Sequence, residues 1–256
     1  MNVRDLFDLS GKTAIVTGGG SGIGRQMAQA LAEAGANLVL CARKVERCEQ
    51  AAGELAQLGV KTLALACDVR DPEQVQAVAD RTRDELGGID VLVNNAGTVW
   101  GAAPENMPLE GWQKVVDVNL TGVFLFAQAV GRVMIGGGGG KIVNIASVAG
   151  LGGAPPEVMN AIAYNATKGG VIAFTRDLAC KWARHGINVN AVAPGWFPSD
   201  MSNVVLDANP ELVEHIPLRR FGGPDDLKGA ALFLASAASD YVTGHVLVVD
   251  GGESAW

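Results

Sequence analysis

The chain has 256 residues, of which 48% are hydrophobic and 18% are charged. This length and composition suit a packed core and exclude a largely disordered chain. The 34 glycines follow no repeat, which excludes collagen and indicates many tight turns. The formal net charge is −7 and there is no basic run. This charge pattern argues against binding to nucleic acid or to an acidic membrane surface.

Targeting and cysteine patterns favour a reduced compartment. The amino-terminal segment has no apolar core, and no uncharged apolar stretch reaches the roughly 18 residues of a membrane-spanning helix. We therefore expect neither a signal peptide nor a membrane anchor. The four cysteines form no CxxC pair and have no histidine cluster beside them: Cys41, Cys48, Cys67 and Cys180. This pattern predicts reduced core thiols in a cytoplasmic protein, with no disulfide scaffold and no metal site.

Short apolar runs alternate with longer helical patterns along the whole chain. The predicted strands span 13–17, 38–41, 62–66, 91–93, 142–145, 188–192 and 246–249. The predicted helices span 23–34, 45–58, 72–86, 109–134, 163–183 and 224–237. The strands are apolar throughout rather than alternating, as is typical of parallel strands buried on both faces. This order predicts one α/β domain over residues 1–256, with a doubly wound parallel sheet of about seven strands and helices on both faces.

Two connecting segments differ from this regular pattern. Residues 136–140 are five consecutive glycines between a helix and a strand, which predicts a flexible surface turn. No helix follows this run, so it does not have the pattern of a phosphate-binding turn. Residues 196–220 have weak periodicity and several prolines, which predicts a mobile loop over a site.

A glycine-rich turn joins the first predicted strand to the first predicted helix. It reads Thr17-Gly18-Gly19-Gly20-Ser21-Gly22-Ile23-Gly24. Glycines allow the backbone to approach a pyrophosphate, and the start of the helix offers it free N–H groups and a positive dipole. The turn therefore predicts a dinucleotide site, and its binding residues are Gly18, Ser21, Gly22, Ile23 and Gly24.

Tyr164 and Lys168 are four positions apart on a predicted helix and so share one face. A neighbouring ammonium lowers the pKa of a tyrosine, so we expect Tyr164 to exchange a proton with a substrate oxygen near neutral pH. Ser147 ends the fifth predicted strand and would donate a hydrogen bond to the same oxygen. Tyrosine–lysine pairs at this spacing are also ordinary surface contacts, so the prediction depends on Ser147, Asn119 and the glycine turn together.

These motifs and their order resemble the short-chain dehydrogenase/reductase family, of the small single-domain type. The matching motifs are the Thr-Gly-xxx-Gly-x-Gly turn, Asn94-Asn95-Ala96-Gly97, Asn119, Ser147, the Tyr164-xxx-Lys168 pair, Pro194-Gly195 and Asp250-Gly251-Gly252. The resemblance implies a Rossmann-type fold and a catalytic set of Ser147, Tyr164, Lys168 and Asn119. It also implies further cofactor-binding residues: Asp68, Val69, Asn95, Ala96, Gly97, Tyr164, Lys168, Pro194, Gly195 and Phe197.

The resemblance implies that Asn119 kinks its helix through a water and completes a proton relay to Lys168. The sequence itself shows a polar residue in an apolar helix, and a plain buried amide is the alternative. Ser147 and Tyr164 are 17 positions apart, which is a longer spacing than in many members. We expect the longer loop to line the substrate side, and it makes transfer of a substrate preference unsafe.

The end of the second predicted strand should select the cofactor. NAD-binding sheets place an acid there that bonds the ribose 2′-hydroxyl. This chain has Ala42 followed by Arg43, and a guanidinium can bind a phosphate through two parallel bonds. The sequence therefore predicts NADP(H) rather than NAD(H), with Arg43 reading the phosphate. The alternative is that Arg43 stacks on adenine or faces solvent, because Ser21 stands where many NADP-preferring relatives carry a basic residue.

The leading functional hypothesis is an oxidoreductase that moves a hydride between NADP(H) and a small ketone or secondary alcohol. A 3-oxoacyl thioester is one candidate substrate, although the acidic chain shows no basic patch for an acyl carrier. One alternative is an NAD-dependent dehydrogenase of polyols, sugar acids or other secondary alcohols. An alternative of another class is a non-catalytic dinucleotide sensor on the same fold.

Two predicted helices, 109–134 and 163–183, are apolar on more than one face. A helix of this kind must be covered on each side, and the sheet can cover only one side. We therefore expect a second subunit, and the resemblance implies a homotetramer with two-fold axes.

Overall fold

Seven parallel strands form one sheet in the computed structural model, which describes residues 2–256. The strands are β1 (Thr13–Thr17), β2 (Asn37–Ala42), β3 (Thr62–Ala66), β4 (Val91–Asn94), β5 (Gly140–Ile145), β6 (Ile187–Pro194) and β7 (Val246–Val249). Their order across the sheet is β3-β2-β1-β4-β5-β6-β7. The predicted α/β fold and every predicted strand are confirmed.

Helices cover both faces of the sheet. They are α1 (Gly22–Glu33), α2 (Glu46–Ala56), α3 (Pro72–Leu86), α4 (Leu109–Val116), α5 (Gly122–Gly137), α6 (Ile162–Trp182), α7 (Asn203–Ala208) and α8 (Lys228–Ala235). Residues of α1, α2 and α8 pack in one core, and residues of α3, α5 and α6 pack in the other. Within β1, Val16 faces the first core and Ile15 faces the second. Both layers bury apolar strand residues, which explains why the strand sequences do not alternate.

Several boundaries differ from the predictions. Helix α5 continues to Gly137, Gly138 ends it at φ 90°, and β5 begins at Gly140, so the flexible glycine turn is shorter than predicted. Helix α8 begins at Lys228 rather than at 224, because a turn precedes it. Strand β7 is an edge strand, and its Val248 is 37% exposed, so the prediction of burial on both faces is wrong there.

Three of the four cysteines are buried as predicted, but Cys180 is exposed on α6. Among the described residues, one helical stretch is long and apolar enough to cross a membrane, Leu109–Gly137, and its most apolar 18-residue window has a mean hydropathy of 1.5. Half of its most apolar window is buried inside the fold, where Phe126 and Val130 pack under the sheet. The core therefore accounts for much of this hydropathy.

A line of buried polar side chains crosses from the sheet to α6. The Nδ2 atom of Asn94 donates to Oδ1 of Asn144 at 2.9 Å, and Nδ2 of Asn144 donates to Oγ1 of Thr175 at 3.0 Å. The Thr175 hydroxyl donates in turn to the carbonyl of Val171 at 2.8 Å. All three side chains are buried, so each depends on its neighbour for a hydrogen bond. The line fixes α6 against β4 and β5.

Replacing Thr175 with valine tests this line. The variant keeps the shape of the side chain but leaves the Nδ2 group of Asn144 without its acceptor. We expect the free energy of unfolding to fall by about 1–3 kcal/mol in urea titrations. Thr82→Val is the matched control, because the Thr82 hydroxyl is equally buried and bonds only the carbonyl of Val78 at 2.7 Å. Equal losses in the two variants would contradict the prediction.

Candidate active site

The carboxyl ends of the strands open into a cleft of about 1950 Å³. The strand order reverses between β1 and β4, which is where doubly wound sheets bind ligands. Every residue that the sequence analysis placed in the catalytic or cofactor site lines this cleft, except Asn119. Pro155, Val158 and Met159 of the longer loop line it as well, as expected.

The glycine turn wraps around the side chain of Asn95. Gly18 and Gly22 have φ values of 65° and 53°, a region that favours glycine. A Cβ atom on Gly18 would lie 2.9 Å from Nδ2 of Asn95, and one on Gly24 would overlap that amide. The amide donates to the carbonyls of Thr17 and Gly18 at 2.8 and 3.2 Å. The glycines therefore allow the ends of β1 and β4 to approach closely.

Thr17 ties the two strand ends together from the other side. Its Oγ1 atom accepts hydrogen bonds from the backbone N–H groups of Asn95 and Ala96, both at 2.9 Å. The side chain of Ser21, at the start of α1, makes no capping hydrogen bond. The N–H groups of the first turn of α1 therefore remain available to a phosphate.

Arg43 and Arg70 line the cleft close to the ends of β2 and β3. Arg70 holds Asp68 through two nitrogens, with Nη2 and Oδ2 2.6 Å apart, and these hydrogen bonds lower the pKa of the Asp68 carboxyl. The nearby charge of Arg43 also lowers that pKa. Arg43 is exposed and has no ion-pair partner among residues 2–256. Its guanidinium is therefore available to a ligand in the cleft.

The candidate catalytic residues meet where β5 ends and α6 begins. Ser147 follows β5, and its Oγ accepts from the N–H of Ala149 at 3.2 Å. Tyr164 lies in the first turn of α6, and Lys168 lies one turn later. The Nζ atom of Lys168 donates to the carbonyl of Ile145 at 2.6 Å and lies 5.5 Å from the centre of the Tyr164 ring. The three side chains therefore share one corner of the cleft.

Burial governs the protonation of this corner. It raises the pKa of Tyr164, and the hydrogen bond with Ser147 opposes that rise. Burial lowers the pKa of Lys168 to about 8. The sequence predicts a lowered pKa for Tyr164, and this prediction is wrong when only the protein's own groups act on the residue. The cost of burying the phenolate outweighs the effect of its polar contacts. The protein alone therefore keeps Tyr164 as a protonated hydroxyl.

Asn119 lies behind the cleft rather than in it. It is fully buried within a π-helical turn, Asp117–Thr121, between α4 and α5. Its Oδ1 accepts from the N–H of Thr98 at 2.8 Å, and its Nδ2 donates to the carbonyl of Thr98 at 2.9 Å and to Oγ1 of Thr167 at 3.3 Å. The amide therefore fixes the loop after β4 against α6. The water-mediated relay to Lys168 stays a prediction.

The 196–220 segment folds over the cleft as two short helices, α7 and the 3₁₀ helix Pro210–His215. Ser199 stands over the glycine turn, since a Cβ atom on Gly22 would lie 3.5 Å from the Cβ of Ser199. Asp200 forms an ion pair with Arg47 at the start of α2. The sequence analysis missed these three residues, because their contacts join positions that are far apart in the chain.

A second missed group lies where β6 and β7 end. The indole Nε1 of Trp196 donates to Oε1 of Glu253 at 2.9 Å. The other carboxylate oxygen, Oε2, is buried and has no hydrogen-bond partner. Burial raises the pKa of Glu253, while the Trp196 bond and the nearby charge of His215 oppose the rise. Trp196 and Glu253 directly follow the Pro194-Gly195 and Asp250-Gly251-Gly252 motifs, but neither motif predicts the bond between them.

The buried ammonium of Lys168 makes the free energy of unfolding depend on pH. Because the pKa of Lys168 falls from 10.5 to about 8 on folding, the unfolded chain binds more protons between these values. We expect unfolding measurements to show that Lys168→Met gains stability relative to the wild type below pH 8. That advantage should shrink by about 3 kcal/mol as the pH rises to 10.5. Lys61→Met, at an exposed lysine, controls for loss of a lysine. A pH-independent difference would contradict the prediction.

Comparisons with known proteins agree with this geometry. A family model described as "Enoyl-(Acyl carrier protein) reductase" matches residues 18–254. The chain is 40% identical over 253 residues to the 2-dehydro-3-deoxy-D-gluconate 5-dehydrogenase of Bacillus subtilis, covering 98% of this chain and 97% of that one. It is also 40% identical over 248 residues to the D-threitol dehydrogenase of Mycolicibacterium smegmatis, covering 96% and 94% of the two chains.

A solved structure extends the likeness to the whole fold. The gluconate 5-dehydrogenase of Burkholderia cenocepacia, in complex with NADP and tartrate, superposes with a TM-score of 0.94 at 40% identity and covers 100% of both chains. The predicted relationship is therefore confirmed: the chain belongs to the short-chain dehydrogenase/reductase family and is an NAD(P)-dependent oxidoreductase acting on hydroxyl and keto groups.

Proposed function

We propose that the protein interconverts a small ketone and its secondary alcohol with NADP(H), using Ser147, Tyr164, Lys168 and Asn119. The observation that carries this proposal is the corner where the protonated Tyr164 hydroxyl, Ser147 and the buried Lys168 ammonium meet. A dinucleotide sensor would need the cleft but no proton donor, so this corner favours an enzyme over the non-catalytic alternative.

The cleft fits the dinucleotide. The glycine turn leaves no space for side chains, and the uncapped start of α1 presents N–H groups for a pyrophosphate. Asp68 and Val69 would hold the adenosine end; Asn95, Ala96 and Gly97 the middle; and Tyr164, Lys168, Pro194, Gly195 and Phe197 the nicotinamide end. The bound cofactor supplies or accepts the hydride.

Side chains of the protein would donate and accept the proton of the reaction. In reduction, the carbonyl carbon gains the hydride and the carbonyl oxygen takes the proton of the Tyr164 hydroxyl. In oxidation, Tyr164 takes the proton back. Ser147 holds the same oxygen by a hydrogen bond. The Lys168 ammonium favours the phenolate that forms when Tyr164 has given its proton away.

Arg43 supports NADP(H) over NAD(H). Its guanidinium is exposed at the cleft and unpaired among residues 2–256, and Ala42 offers no carboxylate to bind a 2′-hydroxyl or repel a phosphate. Three similar structures carry NADP, and each of them is named for a dehydrogenase of gluconate or 2-deoxygluconate. The substrate alternatives remain polyols, sugar acids and 3-oxoacyl thioesters, and a substrate panel with each cofactor separates them.

We further propose that the protein is a cytoplasmic homotetramer of single-domain chains spanning residues 1–256. Helices α5 and α6 bury one side against the sheet, while Phe124, 45% exposed, packs edge-on against Phe174 on the outer side at a ring distance of 6.5 Å. A second subunit would cover this apolar surface.

Tyr164→Phe tests the catalytic assignment. The variant keeps the ring and its packing but loses the proton donor. We expect kcat to fall by about 10²- to 10⁴-fold, with the Kd for NADP⁺ nearly unchanged. Tyr241→Phe, at a fully exposed tyrosine, is the matched control and should retain wild-type turnover. Wild-type turnover in Tyr164→Phe would reject the assignment.

Arg43→Ala tests the cofactor preference. Loss of a charge-assisted bond to the 2′-phosphate should lower the ratio of kcat/KM for NADPH over NADH by roughly ten- to a hundredfold. Lys61→Ala removes the same charge at a residue that does not line the cleft and should leave the ratio unchanged. A wild-type preference for NADH, or an unchanged ratio in Arg43→Ala, would exclude Arg43 as the phosphate reader.

Phe124→Glu tests the assembly. Light scattering should give a wild-type mass about four times that of the chain at micromolar concentration, and the variant should dissociate because a central apolar contact is worth about 2 kcal/mol or more. Leu58→Glu places the same charge at an exposed leucine after α2 and should stay assembled. A wild-type monomer would refute the proposal.

A further inference from the structure

Only two buried side-chain oxygen or nitrogen atoms lack a hydrogen-bond partner in the part of the chain that the structure describes. One belongs to Gln26 of α1, which does not line the cleft. The other is Oε2 of Glu253, a residue that lines the cleft together with Ser147 and Tyr164. A buried carboxylate oxygen without a donor is costly, so a bound molecule that donated a hydrogen bond to it would relieve that cost.

The sheet places this oxygen beside the reacting centre. A Cβ atom on Gly195 would lie 3.1 Å from Oε2 of Glu253, so the oxygen sits at the end of β6. Strand β6 pairs with β5, and Ser147 follows the end of β5. Neighbouring strands are roughly 5 Å apart. The oxygen therefore lies at the same end of the sheet as the catalytic corner, beside the strand that pairs with β5.

The carboxylate is held in place by its other oxygen. The Trp196 indole bonds Oε1, so Oε2 stays directed away from that bond. The surrounding charges are Asp250, which raises the pKa of Glu253, and His215, which lowers it. Apolar residues of the covering segment line the same cleft: Met201, Val204 and Leu212. A substrate carboxylate beside Glu253 would meet its negative charge.

We infer that Glu253 is a specificity-determining residue that accepts a hydrogen bond from a second hydroxyl of the substrate, and that the enzyme selects uncharged polyols or hydroxyketones over sugar acids. The inference rests on the proposed function, since the first hydroxyl or carbonyl is the one that Ser147 and Tyr164 hold. It departs from the sugar acids for which several similar proteins are named.

The test compares each polyol of four to six carbons with the aldonic acid of the same carbon chain. In the wild type, kcat/KM with NADP⁺ should be at least about tenfold higher for the polyol, the size expected of a hydrogen bond to a charged group. Glu253→Gln keeps an oxygen for Trp196 and removes the charge, so it should lower that ratio about tenfold. Glu211→Gln removes an equal charge from an exposed position on the covering segment and should leave the ratio unchanged.

A binding measurement separates this inference from the proposed function. The fluorescence of bound NADPH, titrated with each member of a pair, gives Kd values that need no turnover. If no pair is turned over but the polyol binds more tightly in the wild type and the difference falls in Glu253→Gln, the inference holds and the proposed function fails. An aldonate that is used or bound as well as its polyol would overturn the inference. A polyol-to-aldonate ratio of kcat/KM that is unchanged in Glu253→Gln would also overturn the inference. The same holds if the substitution changes only the Kd for NADP⁺.

Discussion

A buried ammonium group determines how the catalytic corner is built. Lys168 is 4% exposed, and one of its three N–H groups is bonded to the carbonyl of Ile145. Burying a charge is costly unless polar partners surround it. The carbonyl at the end of β5 therefore anchors the cation, and two N–H groups remain for a ribose and for the charge that develops on Tyr164. A site of this kind is complete only when a ligand supplies the remaining partners.

Side-chain hydrogen bonds tie the ends of β1 and β4 together beside this corner. Asn95 fills the space that the glycines of the β1–α1 turn leave open, and Thr17 accepts from two backbone N–H groups after β4. The buried line from Asn94 through Asn144 to Thr175 fixes α6 on the same strands. Lys168 and Tyr164 lie on α6, so the line that stabilises the fold also sets the position of the catalytic pair.

The sequence predicts what depends on local pattern and on recurring motifs. Parallel strands read as apolar runs, and the motif residues lie at strand ends, so the sheet and the cleft-lining residues were predictable. Asn119 stands out in the sequence as a polar residue in an apolar helix, but its place in a π-helical turn and its bonds to the backbone of Thr98 depend on tertiary structure. The residue type predicts Cys180 in the core, because free cysteines are usually buried, yet that residue is exposed. Glu253 directly follows the Asp250-Gly251-Gly252 motif, but no local pattern predicts its hydrogen bond with Trp196, which lies 57 positions away.

The direct test of this account is the titration of Tyr164 itself. The chain has two tyrosines, so Tyr241→Phe leaves Tyr164 as the only phenol, and ultraviolet absorbance then reports its ionisation alone. Without cofactor, the pKa should lie above the ordinary value of 10.0, because burial disfavours the phenolate. With saturating NADP⁺, whose oxidised nicotinamide is positively charged, it should fall below that value. A pKa that is the same with and without NADP⁺ would contradict the claim that Tyr164 is the proton donor of this site.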